Sequence, residues 1–174
     1  MDLREDLILR DCEAGDVADI TAIYRHAVLN GYGTFEIDPP DEAEMAARQS
    51  RLRAGHYPYV VAEREGKITG YAYAGAYHQR AAYRTTVEDS VYVRDGFQGQ
   101  GVGHALLRCL IARATDAGFR QMVAVIGDSE NKASIRLHES QGFVPVGTLR
   151  DVGFKKTRWL DIVIMQRALE IESV

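Results

Sequence analysis

A chain of 174 residues can bury one sizeable core and is short for two, so a single domain over 1–174 is expected. With 46% hydrophobic and 26% charged residues it has an ordinary globular composition, and its net charge of -4 offers no basic field for nucleic acid or an anionic membrane. No apolar run approaches the roughly 20 residues of a membrane span, and the acidic N-terminus lacks the basic-then-apolar layout of a signal peptide, so a cytoplasmic location is expected.

LILRD (7–11) reads as a first strand. Asp16 is placed to cap a helix whose apolar positions Val17, Ile20, Ile23, Tyr24 and Ala27 recur at helical spacing. Gly31 and Gly33 close it, and Pro39-Pro40 breaks the loop that follows. Asp41 then starts a second helix running to about Ala54. YVVAE (59–63) and ITGYAYAG (68–75) form a hairpin around the turn EGK. The polar loop HQRAAYRTT leads to the strand VEDSVYV (87–93). A helix to about Ala117 carries Val102, Leu106, Cys109, Leu110 and Arg113 along one side, with Cys109 expected as a buried thiol. Neither Cys109 nor Cys12 has a CxxC partner. QMVAVIG (121–127) is a short apolar strand, and NKASIRLHESQGF (131–143) a helix closed by Gly142. Two last strands, FVPVGTL and WLDIVIMQRAL, are joined by RDVGFKKTR. This β-α-α-β-β-β-α-β-α-β-β order, hairpins beside β-α-β crossovers, implies an α/β (α+β) fold with a mixed sheet and helices on its faces.

The stretch FQGQGVGHALL (97–107) joins a strand to a helix through Gly99, Gly101 and Gly103. A helix start presents unpaired amides and partial positive charge to an anion. The P-loop pattern fails because no lysine follows Gly103, and the dinucleotide pattern GxGxxG fails because His104 stands where its third glycine belongs. Gln98-Gly99-Gln100-Gly101-Val102-Gly103 instead matches Q/R-x-x-G-x-G/A, and so resembles the pyrophosphate loop of the GNAT N-acetyltransferase superfamily. The VYV strand before it and the helix opened by Asn131, with Ser134 three residues on, resemble the other acetyl-CoA signatures of that superfamily. TFEIDPP, TVEDSVYV, VAVIGDSEN, LHESQGF and GFKKTRWLDIVIMQ narrow the resemblance to phosphinothricin and methionine sulfoximine (sulfone) acetyltransferases.

That resemblance implies a GNAT fold, with a mostly antiparallel sheet of about seven strands. It implies acetyl transfer from acetyl-CoA to the α-amino group of a small amino-acid analogue, without a metal. Cofactor contacts would fall on Val91, Tyr92, Val93, Gln98, Gly99, Gln100, Gly101, Val102, Gly103, His104, Asn131 and Ser134. Substrate contacts would fall on Thr34, Phe35, His78, Gln79, Arg80, Tyr83, Glu88, Asp89 and Ser90. It also implies a homodimer, with Trp159 as a core or interface anchor.

Amine attack on a thioester needs a base near neutral pH, since an α-ammonium has a pKa of roughly 8 in peptides. Strand alternation puts Val87, Asp89, Val91 and Val93 on one side and Glu88, Ser90 and Tyr92 on the other. A bulge would change that parity, so alternation alone does not choose between Glu88 and Asp89; the resemblance selects Glu88. Backbone N–H groups of Val91–Val93 are candidates for the developing oxyanion. His138 stands where many GNAT enzymes carry a tyrosine acid, and either an acid role or a packing or cofactor-orienting role fits it. Acetylation of another amine such as a protein N-terminus, or CoA sensing without catalysis, remain alternatives.

Overall fold

The computed structural model describes residues 6–169. In chain order the elements are β1 (Ile8–Asp11), α1 (Val17–Asn30), α2 (Glu42–Ala54), β2 (Tyr59–Arg64), β3 (Lys67–Ala76), β4 (Thr86–Val93), α3 (Val102–Asp116), β5 (Gln121–Gly127), α4 (Lys132–Ser140), β6 (Val144–Lys155) and β7 (Arg158–Ala168). The strands form one seven-stranded sheet in the order β1-β2-β3-β4-β5-β7-β6. Every neighbouring pair is antiparallel except β4–β5. The element order and the mixed sheet are those expected from the sequence.

Alternate strand residues feed two cores. Val60, Ala62, Ala72 and Val87 meet Leu106, Leu110 and Ala114 of α3 on one face. Tyr59, Val61 and Tyr71 meet Ile20, Ile23, Tyr24 and Met45 of α1 and α2 on the other. A strand buried on both faces reads as a continuous apolar run, as YVVA does. The caps of two helices follow from local chemistry. Asp41 accepts from Glu44 N–H at 2.8 Å and opens α2. At the end of α4, Phe143 N–H reaches back to His138 O (3.1 Å) and Gly142 N–H to Glu139 O (3.0 Å), a Schellman closure around Gly142.

Four local expectations are corrected. Asp16 does not cap α1: its carboxylate takes two 2.8 Å bonds from Arg10 and one from Glu13 N–H, so it ties β1 to the turn before the helix. Cys109 is only half-buried, because Leu106, Leu107, Leu110 and Ile111 take the inward stripe of α3. Most of RDVGFKKTR is strand: register shifts at Pro145/Gly147 and Leu149/Gly153 absorb the irregular residues, and the turn is Lys156-Thr157 alone. Of the two roles expected for Trp159 the core one fails, since it is 64% exposed and leans on Phe154 with ring centroids 5.0 Å apart.

Candidate active site

The site begins where two strands part. β4 and β5 pair in parallel only at Thr86↔Gln121, Val87↔Met122 and Glu88↔Val123. Beyond Glu88, β4 stays paired with β3 as far as Val93, and β5 stays paired with β7 as far as Gly127. The sheet therefore opens between them into a cleft of about 820 Å³. An opened ladder leaves backbone groups without partners. Arg94 N–H donates to Thr69 O (2.8 Å) on the β3 side, and Arg120 N–H donates to Thr85 O (2.8 Å) on the β5 side. Antiparallel alternation then turns the amides of Val91 and Val93 into the opening and commits that of Tyr92 to the β3 ladder. Of the three amides expected to face the cleft, Tyr92's does not.

The glycine turn stands at the wide end. Gly99 and Gly101 have φ of +73° and +82°, a conformation that costs any residue with a side chain. A Cβ at either would meet nothing within 4 Å, so the bare backbone faces open space. The hydrogen-bond ladder of α3 begins with Ala105 N–H donating to Gly101 O, leaving the amides of Val102, Gly103 and His104 outward. The two glutamines fold back onto the turn. Gln98 Oε1 accepts from Gly96 N–H and Gln100 Nε2 donates to Gly96 O, both at 2.9 Å. Gln100 also accepts from Arg64 (2.9 Å), and Val102 is buried in the core. The side chains of Gln100 and Val102 thus shape the turn and are absent from the cleft wall, whereas Gln98, Gly99, Gly101, Gly103 and His104 line it. Asn131 caps α4 by accepting from Ser134 N–H (3.2 Å), and both line the cleft.

At the narrow end the unbroken β3–β4 register settles the parity of VEDSVYV. Glu88 and Ser90 stand on the face of Tyr73, Asp89 on the face of α4. Glu88 lines the cleft with no side-chain hydrogen-bond partner among the described residues, and burial, with Asp89's charge adding, lifts its pKa above the ordinary carboxylate value. Asp89 is engaged: His138 Nε2 lies 2.9 Å from its Oδ2, both side chains being 5% exposed or less. His138 Nδ1 donates to Ser134 O (2.7 Å), and the ring meets Phe143 edge-on at 5.0 Å. Burial works against charging this imidazole, but the Asp89 bond and charge and the Ser134 carbonyl outweigh it, so its pKa is raised. Asp89 Oδ1 is buried with no hydrogen-bond partner among the described residues.

Thr34 and Phe35 also line the cleft. His78, Gln79, Arg80 and Tyr83 do not. They are exposed on a loop that leaves the sheet beyond Ala76↔Val87, before the strands part. Tyr77, His78 and Tyr83 instead pack on one another, with centroids 4.2 to 5.7 Å apart. Sequence reasoning missed the opposite wall, Ala124–Gly127, and Tyr73 and Ala27 as well. VAVIG signals a buried strand, and nothing local tells that its partner leaves it.

A slot with free strand amides along one edge and a helix-start amide nest at its mouth suits a thioester on a long amide-bearing arm that ends in a diphosphate. Residues 20–143 match the Acetyltransferase (GNAT) family. The chain belongs to the GNAT acetyltransferase family. It is 53% identical over 154 residues to phosphinothricin N-acetyltransferase of Alcaligenes faecalis, covering 88% of this chain and 78% of that one. It is 41% identical over 165 residues to L-methionine sulfoximine/L-methionine sulfone acetyltransferase of Salmonella typhimurium, covering 94% and 95%. A phosphinothricin acetyltransferase from Sinorhizobium meliloti, solved in complex with acetyl-CoA, superposes with a TM-score of 0.91 at 50% identity, covering 94% of this chain and 89% of that one. This GNAT protein is accordingly an acetyl-CoA-dependent N-acetyltransferase, and the bare amides of Val91, Val93 and the α3 start fit that cosubstrate.

Proposed function

We propose that this acetyltransferase moves the acetyl group of acetyl-CoA to the α-amino group of a small amino-acid analogue: phosphinothricin, methionine sulfoximine or methionine sulfone. The observation that carries the reading is the ending of the β4–β5 ladder at Glu88, which sets an unpaired, half-buried carboxylate beside the slot for the thioester. Similarity to the relatives that bear those substrates' names supports the choice of acceptor.

The steps follow from the groups at hand. Glu88 takes a proton from the acceptor ammonium, and its raised pKa brings it nearer the amine it must serve. The freed lone pair forms the C–N bond as the C–S bond breaks, and the surplus proton left on the nitrogen passes to the departing thiolate. The amides of Val91 and Val93 face the carbonyl oxygen while it carries negative charge. The departing thiolate, whose conjugate acid has a pKa of roughly 8.5 by analogy with cysteine, meets the imidazolium that Asp89 holds at the cleft wall.

The protein also works as a homodimer in this reading. Val144, Val146, Leu149, Val152, Phe154 and Trp159 are 48% to 64% exposed along one hairpin. Six exposed apolar side chains on one hairpin favour a partner over water. Sedimentation of the purified protein tests this, and a monomer at micromolar concentration refutes it.

Thiol release from acetyl-CoA, measured with the three analogues, the twenty ordinary amino acids and an alanine-starting peptide, tests the substrate class. Turnover is expected with the analogues and little with the peptide. Turnover with the peptide alone would move the protein to N-terminal acetylation, and acetyl-CoA binding without any acceptor would make it a sensor.

A further inference from the structure

The segment 31–36 leaves α1 and roofs the narrow end of the cleft. On one side it is held by helices: Tyr24 Oη and Thr34 Oγ1 share a hydrogen bond (2.9 Å), and Arg48 binds Glu36 at 2.7 and 3.2 Å. On the other it rests on the β6–β7 hairpin, more than a hundred residues away. Lys155, 3% exposed, donates from Nζ to Thr34 O at 2.8 Å, and Lys156 Nζ donates to Leu29 O. The Arg158 guanidinium lies 4.6 Å over the Tyr32 ring.

Two glycines shape this contact. A Cβ at Gly153 would stand 2.3 Å from a Phe35 ring carbon, so the ring lies against bare β6 backbone. A Cβ at Gly127 would come within 2.7 Å of Gly33 O and 3.0 Å of the same ring. Phe35 is thereby wedged between the end of β5 and the bulge of β6 while it lines the cleft that holds Glu88. A buried lysine is costly: burial lowers its pKa, with Lys156 adding, although Glu36 opposes. That cost is unneeded for packing, because an apolar residue of the same length would fill the space.

We propose that Lys155 and Gly153 are positioning residues for the acceptor, setting where Thr34 and Phe35 stand and hence how large an acceptor reaches Glu88. Lys155 holds the roof backbone by its Thr34 carbonyl. Gly153 sets the depth of the Phe35 ring, so a side chain at that position drives the ring toward the cleft. Neither residue touches the glycine turn, which belongs to the other substrate. The inference rests on the reading that the acceptor amine occupies the Glu88 end.

Steady-state kinetics of Lys155→Met and Gly153→Ala test it. In both, the KM for the acceptor rises by about tenfold to a hundredfold, as expected for a misplaced wall, with the KM for acetyl-CoA unchanged. Gly153→Ala additionally shifts preference from methionine sulfone toward alanine-sized acceptors. Phe35→Leu in the Gly153→Ala background restores the acceptor KM, because the ring that the methyl displaced is gone. Lys155→Met keeps its melting temperature yet exchanges its amides at 31–36 faster. Parallel changes in both KM values, no change in either, or unchanged exchange at 31–36 would overturn the proposal. If the unmodified protein acetylates no panel amine, the functional reading falls, while the exchange experiment still decides whether Lys155 seats the roof.

Discussion

Glu88 and Asp89 are adjacent in the chain, and the two faces of β4 give them opposite surroundings. Asp89 points under α4 and meets an imidazole whose other nitrogen is already bonded to Ser134 O, so its negative charge is spent holding a cation. Glu88 points to the tyrosine face, where Tyr73 is its neighbour two positions along β3, and it forms no ion pair among the described residues. Burial disfavours its charge and Asp89 adds to that. One step along a strand thus gives two identical functional groups different partners, and a reaction that needs both a proton acceptor and a nearby cation can draw on both.

Breaking the Glu88 side has the largest expected effect. Glu88→Gln should lower kcat by roughly 10²–10⁴ with the affinity for acetyl-CoA kept; an unchanged rate removes Glu88 from the base role. The same variant should melt at a higher temperature near neutral pH. The folded state binds the Glu88 proton more tightly than the unfolded state, so this group costs stability at every pH above its raised folded value.

Breaking the Asp89 side should cost less. Asp89→Asn removes the charge that raises His138, so kcat falls by less than the roughly 10²–10⁴ a positioned acid contributes, and the basic limb of the rate profile moves to lower pH. The sign for stability is opposite to that of Glu88. His138 adds stability below the unfolded histidine value, and loses it as pH rises through its raised folded value. Thermal melts across that window should show the loss in the unmodified protein and a flatter curve in Asp89→Asn.

Two smaller changes separate the cleft's ends from its walls. Gly101→Ala forces a side chain into φ +82° and should cost about 1–2 kcal/mol, raising the KM for acetyl-CoA with the acceptor KM unmoved. Tyr71 is fully buried under the tyrosine face with its hydroxyl unpartnered among the described residues. Tyr71→Phe should therefore leave the rate alone and stabilise the protein, within the roughly 1–3 kcal/mol that an unsatisfied buried group costs. Denaturant titration measures both.

The order of elements and the glycine turn at Gly99–Gly103 were legible in the chain itself, and alternation offered the opposed faces of Glu88 and Asp89 that the unbroken β3–β4 register then settled. Each depends on φ preferences, capping or period-two alternation within a few residues, and these operate wherever the segment lies. The His138–Asp89 bond joins residues 49 apart, and the Lys155–Thr34 bond residues 121 apart. No local preference encodes either; they exist because α4 and the last hairpin pack where they do. The parting of β4 from β5 is of the same kind, since a strand's own sequence does not say when its neighbour departs. The exposed loop at His78–Tyr83 makes the converse point, for residues with suitable chemistry lay close to Glu88 in sequence and the sheet carried them off the wall. Sequence thus determined which groups were available and offered an alternation for each strand, and tertiary packing decided whether that alternation held and which groups face one another across the cleft.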